Sequence, residues 1–309
     1  MTYGACASGQ QTTFSIEKEG LRIGQRFLDF ADFRGVLPLN HRVMIDTLAG
    51  ERIEVSMLGY SFDGFWEELM NSFSSRSQEA LFAEGALLMY TEGEYRTPTE
   101  LGRGKLALYN DSICILPQTC GARRIPLCFA EKISLTGYQV EIVMHGGARY
   151  SVGKMGYDTK PFFERALQAS EKVKKERAKL LSQLTPAAPF IQCGLFRTTQ
   201  PKFSWQAGYG DGVCAVELSV DEDSATYLYR FEEPQAYFSL MLEEAMEAMG
   251  PHREIIYLSE EELNKKPLYR MAVVRSEAVR FLRSRSNGRL IHNASHAQRL
   301  AEYLKPAKS

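Results

Sequence analysis

The chain has no long apolar run. No window of about eighteen apolar residues occurs, so a membrane-spanning helix is not expected. Neither sign of charge is in excess. There are 37 basic and 38 acidic side chains, which excludes a polybasic tail or a field strong enough to make nucleic acid an expected partner. Cysteine is scarce. The six cysteines (Cys6, Cys114, Cys120, Cys128, Cys193 and Cys214) include no C-x-x-C pair and are too few for a disulfide framework in a chain this long. A reduced, cytoplasmic chain is the simplest reading, with Cys114 and Cys128 acting as small hydrophobes and Cys120 the thiol closest to solvent. Residues 1–13 are small and polar, without the charged start and apolar stretch of a secretory signal, and are expected as a frayed tail.

Sequence signatures of catalysis are missing too. Gly153-Lys154 and Gly104-Lys105 end like a phosphate-binding P-loop, but Ala148 and Thr99 stand where its first glycine belongs, and Met155 and Leu106 replace the hydroxyl that would reach Mg²⁺. The glycines of 208–212 lack a strand-then-helix setting and read as a turn between strands. His292 and His296 have i, i+4 spacing but no further ligand nearby, and His41, His145 and His252 are isolated at turns. There is no G-x-S-x-G elbow. Glu243, Glu244 and Glu247 share one helix and read as a solvated face. No catalytic residue, metal or cofactor is therefore assigned.

What the chain does have is an apolar fraction of 44%, enough for real cores, and an internal duplication. Its 309 residues, at about 100–200 per domain, suggest two or three domains. Residues 43–69 align without a gap on residues 140–166, and nine of the 27 positions are identical: Val43/Val140, Ile45/Ile142, Gly50/Gly147, Arg52/Arg149, Val55/Val152, Gly59/Gly156, Tyr60/Tyr157, Phe65/Phe162 and Glu67/Glu164. Chance supplies about two. The identities alternate as strands do, then mark a tight hairpin, a return strand, a glycine turn and the start of an amphipathic helix at Phe65-Trp66 and Phe162-Phe163. Upstream, Leu21-Arg22-Ile23 with 27–30 reads as an early hairpin of copy one, and 105–109 with 113–116 as that of copy two. Pro38-Leu39 and Pro126-Leu127 each precede the second half.

Several antiparallel strands followed by one closing helix, in this order, resemble the small pleckstrin-homology-like (PH-like) modules. The resemblance covers roughly residues 14–85 and 101–175 and implies an α+β chain: tandem PH-like antiparallel β modules over 14–90 and 101–184, each closed by a C-terminal helix, plus a C-terminal α+β unit over 190–309. The alternative is a generic duplicated sheet, perhaps two halves of one sandwich. PH-like domains bind phosphoinositides, peptides or proteins, or only scaffold. The early loops here, Gly24-Gln25-Arg26 and Asn110-Asp111-Ser112, form no polybasic pocket, so phosphoinositide is not expected.

The helix over 161–184 carries the charge run of 171–179 as a solvated face, and 185–189 reads as a linker. In the last unit, 213–220 and 225–231 pair as strands and 234–249 is a helix stopped by Gly250-Pro251. Residues 254–258 form a short strand, and Ser259 with Glu262 makes a capping box. Residues 268–282 form a helix with Gly288 near its end, or else a strand turning at Asn287-Gly288, and 293–304 a final helix. The strand-strand-helix opening echoes each repeat, so a divergent third copy is entertained. Arg283, Arg285 and Arg289 surround the turn at 286–288 and are the candidate anion- or partner-binding residues, against pairing with the Glu-rich 232–262 stretch. The expected function is a non-catalytic protein-interaction or scaffold protein with a protein or peptide partner. The alternative is an enzyme or small-anion-binding protein with its site near the C-terminal Arg cluster.

Overall fold

A computed structural model describes residues 2–83, 85–119, 121–145, 147–183, 194–210, 212–221 and 223–290, apart from the side chains of 194–196, 199 and 287–290. The chain is α+β, with two large antiparallel sheets, each followed by a helix, and a smaller third sheet with helices. No helix among the described residues is long and apolar enough to cross a membrane.

The first sheet contains β1 (Thr2–Ala7), β2 (Gln10–Ile16), β3 (Gly20–Ile23), β4 (Arg26–Asp29), β5 (Phe33–Leu39), β6 (Arg42–Thr47) and β7 (Arg52–Ser56), in the order β4-β3-β2-β1-β7-β6-β5, followed by helix α1 (Phe62–Ala80). The second contains β8 (Leu87–Arg96), β9 (Leu101–Tyr109), β10 (Ser112–Pro117), β11 (Arg123–Pro126), β12 (Ala130–Thr136), β13 (Gln139–Met144) and β14 (Arg149–Gly153). Its order is the same, β11-β10-β9-β8-β14-β13-β12, and helix α2 (Thr159–Gln183) follows. From β4 onward every strand, the intervening 3-10 turns and the start of the helix recur at a constant offset of 97 residues.

The offset corrects three expectations. Residues 2–13 are no tail: β1 lies inside the sheet and joins β2 to β7 through Cys6↔Ser56 and Ala7↔Val55. Its inward side chains are Tyr3, Ala5 and the partly buried Ala7, two of them small, so the alternation is faint in sequence, and Ser8-Gly9, both at positive φ, make the two-residue turn into β2. The early hairpins are real but are not counterparts. The hairpin β3–β4 corresponds to β10–β11, while 105–109 with 113–116 is β9–β10. Pro38 and Pro126 likewise occupy different places, the first near the end of β5 and the second at the end of β11. The sheets thus begin ahead of residues 14 and 101.

The retained glycines have a backbone reason. Gly50 and Gly147 sit at φ +83° and +85°, and Gly59 and Gly156 at +54° and +61°, which glycine adopts without a Cβ clash. Phe65 and Phe162 are fully buried at the same place in each helix, sealing the sheets against Val43, Ile45 and Val55 in one and Val140, Ile142 and Val152 in the other.

The last unit is built on β15 (Gly194–Gln200), β16 (Phe203–Gly210), β17 (Val213–Val220) and β18 (Asp223–Arg230), a meander completed by β19 (Ser286–Leu290). Between them come α3 (Gln235–Met249), α4 (Glu260–Asn264), α5 (Pro267–Arg275) and α6 (Glu277–Arg285). The capping box at Ser259 and Glu262 forms as expected. The strand expected at 254–258 is instead a 3-10 turn over Arg253–Ile256, too short an apolar run to distinguish the two in sequence. The single helix expected over 268–282 breaks at Ser276, whose hydroxyl accepts from the Val279 N–H to cap a new helix. Asn287-Gly288 lies in β19 rather than at a turn. The helix expected at 293–304, with His292 and His296, lies outside the described residues, as do Cys120 and Cys193.

This unit packs on both sheets. Helix α5 lies on α1, and the buried Arg275 donates to the carbonyls of Phe30 (2.7 Å) and Phe33 (3.1 Å), its guanidinium 4.7 Å from the Phe73 ring centre. The apolar core of the first sheet is therefore continuous with that of the last unit. We expect Phe65→Ala and Phe162→Ala each to cost ~3–5 kcal/mol, and Tyr60→Ser and Tyr157→Ser less than ~0.5 kcal/mol, in urea denaturation. Equal losses from the exposed and buried pairs would contradict the helix-plug arrangement.

Candidate docking surface and the buried charge seam

On the outer face of the second sheet, where β8, β9, β13 and β14 meet, lies a hollow of about 580 Å³ lined by Glu94, Arg96, Leu101, Arg103, Tyr138 and Lys154, among others. Tyr138 also lines a second hollow of about 720 Å³, with Leu135, Tyr157 and Lys160, between the β12–β13 turn and the start of α2. Local geometry sets these side chains outward. Gly137 at φ +62° allows the two-residue turn that carries Tyr138, and Gly156 at φ +61° starts the 3-10 turn that carries Tyr157. Tyr138 is 77% exposed and Tyr157 fully exposed, while Met155 beside them turns into the core.

Four cations stand here: Arg96, Arg103, Lys154 and Lys160. Lys154 pairs with Glu94 at 2.8 Å and Lys160 reaches Glu164 at 3.8 Å. Among the described residues Arg96 and Arg103 form no ion pair. The surface also adjoins an open edge, because β12 is the terminal strand of its sheet. Its counterpart β5 is partly covered, with Val36 N–H donating to Gln118 O (3.0 Å) and Gly35 bridging Thr119. Those partners come from the connection between β10 and β11, which is longer than the Gly24-Gln25 turn of copy one.

Two of the three predicted cluster arginines are engaged within their own unit. Arg283 donates to the carbonyls of Ile255 and Leu258 and to Glu260. Arg285 donates to Glu233 and lies 3.7 Å over the Phe281 ring. Both are engaged inside their own unit, with the glutamates of the 232–262 stretch. Arg289 belongs to β19, and its side chain lies outside the described residues.

The carboxylates of α3 overturn the expectation of a solvated face. The helix packs on β11, and Glu244 accepts from Arg123 (2.8 Å) and from the Tyr150 hydroxyl (3.1 Å), while Glu243 accepts from Arg197 (3.2 Å). Glu247 is buried. Desolvation first, then Glu243 and Glu244, push its carboxyl well above the ordinary value, against the pull of Arg124 and Arg197. Arg124, itself buried, donates to Asp111 (3.0 Å) and Ser112 (3.2 Å). A cavity of about 20 Å³ beside Arg124, Tyr150, Glu244 and Glu247 has room for about one water. This seam joins the last unit to the second sheet. Sequence spacing shows which glutamates share a helix but not what the helix lies against, so the seam had no sequence signal.

Cys114, Cys128 and Cys214 are buried and inert by position. Burial pushes Cys114 and Cys128 up to about 12 and raises Cys214 further. Among the described residues no group of three or more His, Cys, Asp or Glu is placed to hold a metal. Compared with protein-family models and with curated proteins, the chain matches none.

The seam makes a pH prediction. Above 4.5, the ordinary carboxyl value, the unfolded chain has released the proton that folded Glu247 still holds, so stability falls as pH rises toward the raised value. Glu247→Gln removes that loss. The variant should be more stable than the parent at neutral pH, with the advantage shrinking by roughly 1 kcal/mol per pH unit on acidification through this window. Thermal melts across pH check this, and a constant deficit of the variant would contradict it.

Proposed function

We propose that the protein is a cytoplasmic, non-catalytic interaction scaffold built on tandem PH-like modules, and that its second module docks an extended peptide along β12. The PH-like reading is supported by the repeated order β4-β3-β2-β1-β7-β6-β5 with a helix sealing each sheet at Phe65 or Phe162. The observation that carries the peptide reading is the open β12 edge beside the hollow lined by Leu135, Tyr138 and Tyr157. An added strand gains main-chain hydrogen bonds from the edge and sends alternate side chains into the hollow. The corresponding β5 edge of the first module is partly taken by Gln118 and Thr119, which favours the second module. The pairing of Arg283 with Glu260 and of Arg285 with Glu233 favours the scaffold reading over the enzyme or anion-site alternative.

Peptides selected from a displayed library on the full chain test this. Thr136 and Gln139 flank the two-residue turn as a hydrogen-bonded pair, so the Leu135 N–H faces away from β13 and is offered to a guest strand. Selected peptides should slow amide hydrogen exchange across 131–136. Leu135→Pro should abolish binding, and Leu135→Ala, which keeps the N–H, should only weaken it. Selected peptides that leave exchange at 131–136 unchanged would refute docking on β12.

A further inference from the structure

The two copies act as internal references for each other, because shared backbone register identifies equivalent positions. Gly153↔Glu94 and Val152↔Tyr95 in the second sheet match Ser56↔Cys6 and Val55↔Ala7 in the first, and one residue on, Ser151↔Arg96 matches Glu54, whose carbonyl accepts from the Ser8 N–H. Arg96 therefore stands where copy one has Ser8. Arg103, opposite Glu94, stands where copy one has Gln11, opposite Cys6. The constant offset places Lys154 on Met57, Lys160 on Asp63, Tyr138 on His41 and Tyr157 on Tyr60. Four positions that are cationic in the second copy are thus neutral or acidic in the first, on the same backbone. None of the four cations belongs to a buried core, and Arg96 and Arg103 carry no ion pair among the described residues.

From this we infer that the partner of the second module is an acidic peptide with aromatic or aliphatic residues: its carboxylates meet Arg96, Arg103 and Lys154, and its apolar side chains fill the adjoining hollow between Tyr138 and Tyr157. The inference rests on the docking reading above and adds the chemistry of the guest. Carboxylates suit the guanidinium groups, which offer forked donors. Tyr138 lines both hollows and so places the charged and apolar contacts side by side on one continuous strip. The strip crosses the strands from β9 to the end of β12 at Thr136, so a guest strand paired with β12 reaches the cations by continuing past Thr136 over the Gly137-Tyr138 turn. The first module lacks the four cations, and its β5 edge is partly covered, so it is not expected to take the same guest.

The test uses the full chain and a short fluorescent peptide whose first half is Asp and Glu and whose second half contains Tyr and Leu. Two companion peptides carry Ser or Lys in place of the acids. The acidic peptide should bind at least about tenfold more tightly than the Ser peptide, lose affinity as salt rises, and slow exchange at 131–136. The double variant Arg96→Glu and Arg103→Glu, at two exposed positions, should keep the parent's melting temperature, lose about tenfold or more of that affinity, and bind the Lys peptide better than the parent does. Equal binding of the acidic and Ser peptides, with protection at 131–136, would overturn the acidic assignment and leave β12 docking standing. Absence of protection with all three peptides and with the library-selected ones would overturn both. Binding of the chain to vesicles of anionic lipid without binding of the acidic peptide would overturn the proposal in favour of a membrane surface.

Discussion

Each sheet depends on a single phenylalanine. The helix after the last strand of each seven-stranded antiparallel sheet inserts Phe65 or Phe162 into that sheet's core, both without solvent exposure. The backbone reaches that position only by turning sharply after β7 and β14, which is why Gly59 and Gly156 are held at positive φ. Most of the identities between the copies follow from this requirement. Val43, Ile45 and Val55 and their partners Val140, Ile142 and Val152 are all at zero exposure around the plug, and Gly50 and Gly147 permit the hairpin that brings them together. Tyr60 and Tyr157 do not follow from it, because both are fully exposed.

The last unit binds the two copies together by different means. Against the first it extends the apolar core and inserts Arg275, whose desolvation is offset by two backbone carbonyls and the Phe73 ring. Against the second it places a seam of arginines and glutamates with Glu247 at its centre. The first contact also carries ion pairs from Arg270 to Asp32 and to Asp29, and burial raises the Asp29 carboxyl. The second carries a buried carboxyl that desolvation holds toward its neutral form, so this junction weakens as pH rises above the ordinary carboxyl value.

How far the sequence reveals this arrangement varies with the kind of signal. The duplicated half was legible because hairpin, glycine turn and helix start fall close together and each leaves an identity. Helix α3, the strands β17 and β18 and the Ser259 capping box were legible for the same local reasons. The first strands were not. In β1 the inward positions are Tyr3, Ala5 and Ala7 among small residues, and β8 alternates with glycine and threonine facing inward, so the apolar period of two almost vanishes. Charge misled for another reason. Arg283 and Arg285 look clustered along the chain but turn to Glu260 and Glu233, whereas Arg123, Tyr150, Arg197 and Glu244 are far apart in sequence and meet only in the fold. The candidate strip is of the second kind, since Arg96, Arg103, Tyr138 and Lys154 come from four different strands or turns.

Duplication explains how such a strip can arise at little cost to stability. The four positions that gain a cation in the strip, Ser8 and Arg96, Gln11 and Arg103, Met57 and Lys154, Asp63 and Lys160, are exposed in the second copy, where substitutions typically shift stability by under ~0.5 kcal/mol. The plug, the positive-φ glycines and the strand register fix the backbone, and with it the positions from which outward side chains project. One copy then commits its β5 edge to an internal contact with Gln118 and Thr119, while the other keeps β12 open and gathers cations beside it. On this account the similarity of the modules is a property of their interiors, and their division of labour is written on the surface that the shared interior holds in place.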